Sequence, residues 1–226
     1  MATNLFYTDT LYPLQDKILA TVSTLETKFY LTGGTALSRG YFDHRFSDDL
    51  DFFVNRDSTF PQQVETIIQT LQNKFEVDIT IKTIDFTSLK INQILKVDMV
   101  NDVGFRDGES IVKPFFNQVD NITNILSNKI TAITSRDEPK DVVDIWIIAK
   151  NTQIAWPRIF QAANSKAVGI FPPDVVQKLL SLPIELLDQI KWIDGQKPSP
   201  KIFMEELNEI CNQMLRIPVG KTFRIL

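Results

Sequence analysis

One cysteine and one histidine are all that this chain of 226 residues has of either type. Cys211 alone forms no intrachain disulfide, which suits a reducing compartment. With His44 it cannot build a zinc site of the usual His/Cys type, and the pair leaves little for Cys-His or Ser-His-Asp catalysis. An excess of basic charge is lacking too. Twenty-four basic residues stand against 28 acidic ones, a net charge of −4, so no global field announces a long nucleic-acid footprint. No apolar run approaches the roughly 18 to 20 residues of a membrane span. Met1 to Leu14 lacks both a basic leader region and a continuous apolar one. The expectation is a soluble, cytoplasmic protein with no membrane partner, in which carboxylates, lysines and hydroxyls carry any reaction.

What is present is enough apolar residue, 43%, for one substantial core or a core with a helical appendage. Leu14, Ile18, Leu19, Val22 and Leu25 form one stripe and predict a helix over 13–28. Phe29 to Leu31 reads as a short buried strand ending at Gly33-Gly34, with a helix starting at Thr35. Strands are predicted over 50–54, 75–84 and 93–100, with a helix over 61–73 between the first two. After about Pro114 the alternation gives way to helical spacing, at Ile122 to Ile133 and Val142 to Ile148. Pro139, Pro172-Pro173 and the loop 197–200 mark later helix starts. The expected fold class is α+β: a mixed sheet with flanking helices over 1–115, then a helical half over 116–226.

The chemistry concentrates at Ser47-Asp48-Asp49-Leu50-Asp51-Phe52-Phe53. Asp49 and Asp51 are two apart at the start of an apolar strand, so both side chains leave the same face. Such crowding raises a pKa or recruits a cation, and hard oxygen ligands suit Mg²⁺. By itself, an Asp-x-Asp pair more often caps a turn before a strand. Gly33-Gly34-Thr35, between strand and helix, brings backbone N–H groups to a phosphate, or makes a plain tight turn. Asp98, on the apolar segment 96–100, is costly without a partner. A metal or a lysine or arginine would serve. Metal-assisted phosphoryl or nucleotidyl transfer uses all three acids, one of which, Asp98, can take the proton of an attacking hydroxyl.

Leu31-Thr32-Gly33-Gly34-Thr35-Ala36-Leu37 and His44-Arg45-Phe46-Ser47-Asp48-Asp49-Leu50-Asp51-Phe52-Phe53 together resemble the AbiEii/AbiGii toxin family of nucleotidyltransferases, within a superfamily similar to DNA polymerase β. The resemblance implies a nucleotidyltransferase-like sheet and assigns catalytic and metal roles to Asp49, Asp51 and Asp98. It implies nucleotide binding by Gly33, Gly34 and Thr35, and either phosphate contact or loop shaping by Arg45 and Ser47. Lys129, with the segment from Arg136 to Asp144, resembles a further block of the family. There Lys129 would hold a nucleotide phosphate and Asp144 would orient Lys129 or another basic group from the following helix; a solvated helix face and an ordinary ion pair are the plainer alternatives. The likeness covers roughly 29–150.

The implied substrate is an NTP with Mg²⁺, as one ion or two, and the implied acceptor is a hydroxyl on RNA, notably tRNA, with a cognate antitoxin protein as partner. Lys129, Arg136 and Lys140 are candidates for a local RNA-binding patch. Lys129→Ala is expected to weaken NTP binding more than folding. Two other functions stay in view: nucleotidyl transfer to a small molecule such as an antibiotic, and a silent binding module. Three retained, mutually repelling acids argue against the latter.

Overall fold

The computed structural model describes residues 2–217. The chain opens as a nearly unbroken helical run: α1 (Ala2–Phe6), a π-helical turn (Tyr7–Leu11) and α2 (Tyr12–Ser23). It therefore starts well before the predicted residue 13. Tyr7 and Leu11 continue the buried stripe of Leu14, Ile18, Leu19 and Val22, whereas Leu5 and Phe6 are exposed and blur the pattern. β1 (Tyr30–Thr32) leads into α3 (Gly33–Leu37) and a second π-helical turn (Ser38–Phe42). β2 (Leu50–Asn55), α4 (Phe60–Gln72), β3 (Val77–Lys82), β4 (Phe86–Ile91), β5 (Leu95–Asp102), β6 (Ile111–Lys113) and β7 (Phe116–Val119) complete this part.

The seven strands form one mixed sheet in the order β3-β4-β5-β2-β1-β7-β6. β2 runs antiparallel to β1 and parallel to β5, and β7 joins the other side of β1 in parallel. Along β2, Leu50, Phe52 and Val54 are buried, while Asp51, Phe53 and Asn55 alternate with them on a less covered face. Val97 and Met99 of β5 continue that core, which α4 supplies with Val64, Ile67, Ile68 and Leu71. β3 ends the sheet with Ile79 and Ile81 exposed. The predicted strand over 75–84 is thus shorter, and β4, β6 and β7 went unread in the sequence.

The chain divides into two compact units between Asn121 and Ile122. The change of texture near Pro114 precedes that division because Phe116 and Val119 are buried strand residues, with Val119 paired to Leu31. The second unit is helical: α5 (Ile122–Ser135), α6 (Pro139–Asn151), α7 (Trp156–Lys166), α8 (Pro172–Leu180), a 3₁₀ turn (Ile184–Gln189) and α9 (Pro200–Leu215). Proline stands in the first turn of α6, α7, α8 and α9, where its missing N–H costs nothing. Trp146 anchors the core, its ring 5.2 Å from that of Phe203, and its indole N–H donates to Glu206 at 2.8 Å. Residues 218–226, the end of the expected helical half, lie outside the described residues. Among the described residues no helix is long and apolar enough to cross a membrane.

Candidate active site

Strand register builds the site. Asp51 of β2 pairs with Thr32 of β1 on one side and with Asp98 of β5 on the other, and Asp98 pairs with Ser88 of β4. Four polar residues therefore stand in one row across four strands. Asp49 lies one residue before β2 begins, two from Asp51, and Thr35 donates its hydroxyl to the Asp49 carbonyl at 2.5 Å. That bond ties the start of α3 to the acidic strand.

The glycine turn is packed against this row with no room to spare. Gly33 has φ +70°, and the three atoms nearest to a Cβ built there all belong to the Asp51 side chain. A Cβ on Gly34 would stand 2.6 Å from Arg45 Nη2 and 3.0 Å from Ser47 Oγ. Glycine is required at Gly33 for its left-handed backbone, while at Gly34 a side chain would press on the end of Arg45. Arg45 and Ser47 are buried, and Arg45 Nη1 also donates to the Phe46 carbonyl at 3.0 Å. Arg45 thus shapes the loop and sets a fixed positive charge beside the turn.

The loop 44–49 is held from behind by the N-terminal helices. The Tyr12 hydroxyl accepts from the Ser47 amide at 3.2 Å, Gln15 donates to the Ser47 carbonyl at 3.1 Å, and Tyr7 donates to Asp48. On the other side, Thr32 donates to the fully buried Asp120 at 2.7 Å, which pairs with Arg106 at 3.0 Å. Asp120 fixes the residue immediately before the glycine turn. His44 is buried in the same loop, in keeping with a structural role.

Asp98 does have a basic partner. Lys96, two residues earlier on the same face of β5, reaches Asp98 Oδ2 at 2.6 Å, and Ser88 donates to Asp98 Oδ1 at 2.6 Å. Partial burial pulls the Lys96 ammonium pKa down, but the Asp98 hydrogen bond and the charges of Asp98, Asp49 and Asp51 together raise it above its usual value. Among the described residues no three His, Cys, Asp or Glu side chains already converge as a metal cage.

The other two expected site residues belong to the helical unit. Lys129 of α5 is buried, with its ammonium 2.6 Å from Asp144 and 2.7 Å from Asp141 of α6. The solvated-face alternative for Lys129 is therefore excluded. Arg136 adds two hydrogen bonds to Asp141, at 2.7 and 3.1 Å. Burial works to raise the Asp141 pKa, but the Lys129 charge and the Arg136 and Lys129 hydrogen bonds hold it below the ordinary carboxylate value. Asp141 was not singled out in the sequence, although its place between Lys140 and Val142 in the quoted segment was the available signal. Lys129 and Arg136 are engaged with these acids, which leaves little of the basic patch expected from Lys129, Arg136 and Lys140.

Comparison with known proteins bears on the fold and the family. The fold is similar to that of JHP933 from Helicobacter pylori, at 18% identity over 90% of each chain and a TM-score of 0.61. It is also similar to MenT4, a nucleotidyltransferase toxin from Mycobacterium tuberculosis H37Rv, at 16% identity, 92% of this chain, 84% of that one and a TM-score of 0.59. No curated protein sequence matches the chain. The model of the nucleotidyl transferase AbiEii toxin family, type IV toxin–antitoxin system, matches residues 17–190, past the segment 29–150 in which the resemblance was legible. With its glycine turn and acidic row inside that match, the chain belongs to the AbiEii family of nucleotidyltransferase toxins.

Proposed function

We propose that this nucleotidyltransferase uses Mg²⁺ to move a nucleotide from an NTP to a hydroxyl on RNA, with tRNA the favoured acceptor, and that a cognate antitoxin opposes it in the cell. The observation that carries the reading is the lateral pairing of Asp51 with Asp98 against the Gly33 backbone. Asp49, Asp51 and Asp98 are the residues that would hold the metal. Their donors are all hard oxygens, and Mg²⁺ is usually bound by one or two carboxylates together with waters and substrate phosphates, so no finished protein cage is needed. When bound, the ion supplies charge neutralisation at the phosphates and activation of the attacking oxygen.

The rest falls to the chain's own groups. Backbone N–H groups of Gly33, Gly34 and Thr35 receive the phosphates, with the Arg45 charge and the Ser47 hydroxyl behind the turn. Within the helical unit, the resemblance gives Lys129 a phosphate-binding role with Asp144 orienting it, and Asp141 and Arg136 extend that ion-pair network. The acceptor oxygen forms a bond to the α-phosphorus, the bond to the leaving pyrophosphate breaks, and the hydroxyl proton passes to Asp98.

The test is incubation of the protein with each α-radiolabelled NTP, Mg²⁺ and total RNA, beside Asp51→Asn. Label on RNA from the wild type alone is the expected result. Label on a small molecule instead would reassign the acceptor, and no NTP-dependent transfer to any acceptor would overturn the reading. Asp49→Asn and Asp51→Asn are expected to abolish transfer while leaving a cooperative unfolding transition near that of the wild type.

A further inference from the structure

Lys96 is a cation already seated on the acidic row. It stands two residues before Asp98 on β5, so both side chains leave one face of the strand. Its Nζ takes Asp98 Oδ2 at 2.6 Å while Ser88 takes Oδ1, so both oxygens of the third acid are engaged. A divalent ion using Asp98 must compete with Lys96 for that carboxylate. Lys90 of β4 is the cross-strand neighbour of Lys96, in the row next to Ser88 and Asp98. Two ammonium-bearing stems thus lie side by side, one of them drawn to the acids. The Lys96 side chain is half exposed, whereas that of Asp98 is 13% exposed, so the long lysine stem is the partner better able to swing away.

We propose that Lys96 is a positioning residue that occupies the cation place at Asp98 in the absence of substrate and yields it when an NTP arrives. The triphosphate then offers the displaced ammonium a new partner beside Lys90, and the carboxylate is released to the incoming metal. Metal affinity is consequently held low until nucleotide is present. Lys96 thereby couples the two binding events without entering the chemistry. The proposal rests on the reading of Asp49, Asp51 and Asp98 as the metal site.

The experiment measures Mn²⁺ binding to the full chain by electron paramagnetic resonance and calorimetry, with and without a non-hydrolysable NTP analogue. It compares wild type, Lys96→Met, Lys96→Arg and Asp51→Asn. Without nucleotide, Lys96→Met is expected to bind Mn²⁺ about tenfold tighter than wild type, the scale of one removed charge contact. Lys96→Arg keeps the charge and should bind like wild type. The analogue should raise the wild-type affinity more than that of Lys96→Met, narrowing the gap. Metal-free Lys96→Met should melt below wild type and gain more from Mn²⁺. Unchanged or weaker Mn²⁺ binding by Lys96→Met, with binding lost in Asp51→Asn, would overturn the role of Lys96 and leave the metal site standing. Binding by none of the four, or equal binding by all, would overturn both.

Discussion

Replacing Gly33 by alanine separates the cost to folding from the cost to chemistry. The residue sits at φ +70°, where an L-side chain costs about 1–2 kcal/mol. For a chain of this length such a loss lowers Tm by about 2–8 °C. The new Cβ also falls on the Asp51 carboxylate, with Asp51 Cγ at 3.2 Å and Cβ at 3.4 Å behind it. The aspartate side chain, not the backbone, is what must give way. A displacement of about 1 Å at a reacting centre costs on the order of a hundredfold in rate, so Gly33→Ala should lose about that much transfer while melting only a few degrees early. The control is Gly34→Ala, whose Cβ meets the far end of Arg45 at 2.6 Å and leaves Asp51 untouched. It should lose less activity. Initial rates of label transfer at saturating NTP, set beside thermal melts followed by circular dichroism, measure both quantities. A Gly33→Ala rate above half the wild-type value, or a larger loss in Gly34→Ala, would refute the argument that close packing of Asp51 on the turn sets the site.

Lys129→Ala, expected from the sequence to touch nucleotide binding first, is now expected to cost about 3–5 kcal/mol of stability, because it removes the buried ammonium that Asp141 and Asp144 share, leaving Asp141 with Arg136. Urea unfolding checks this, and a loss below about 1 kcal/mol would contradict the buried pairing. The same network predicts acid lability. Asp141 has a lowered pKa, so its contribution is complete above the ordinary value near 4 and is lost as pH falls below it; Asp141→Asn should flatten a stability profile taken between about pH 5 and pH 2. Tyr7→Phe removes the hydroxyl that donates to Asp48 but keeps the ring stacked on Phe46 at 4.3 Å. It should cost about 1 kcal/mol and show in a thermal melt.

How far the sequence could be read depended on what each residue had to do. β2 was legible because Leu50, Phe52 and Val54 alternate with less buried residues, and the glycine turn because two glycines interrupt an apolar run. β4 was hidden: Thr87, on the face of Leu89 and Ile91, is polar, and Ser88, on the opposite face, is buried as well because it serves the hydrogen bond to Asp98. β6 and β7 are only three and four residues long, too short for a period to register. α7 carried a helical signal in Trp156, Ile159, Phe160 and Ala163, but its two alanines weigh little in an apolar count. The partner of Asp98 could be anticipated as a lysine or arginine, yet its identity as Lys96 depends on a side-chain direction that spacing alone does not fix. For Lys129 the resemblance supplied Asp144 as a partner, but its burial and its second bond to Asp141 were not legible, because spacing alone does not show how α5 meets α6.

The sheet order also governs when a growing chain can become active. β1 carries the glycine turn, yet its neighbours are β2 and the much later β7, while Asp98 arrives on β5 after a long excursion through α4, β3 and β4. A nascent chain that stops before Leu95 holds Asp49 and Asp51 with β1 beside β2, but it lacks β5, the parallel neighbour of β2 that carries Asp98. At about 5–20 residues per second of synthesis, several seconds separate emergence of the first two acids from completion of the sheet. Such non-local assembly means that the row of Thr32, Asp51, Asp98 and Ser88 can close only after β5 has been made, so a chain cut short before it cannot form that row.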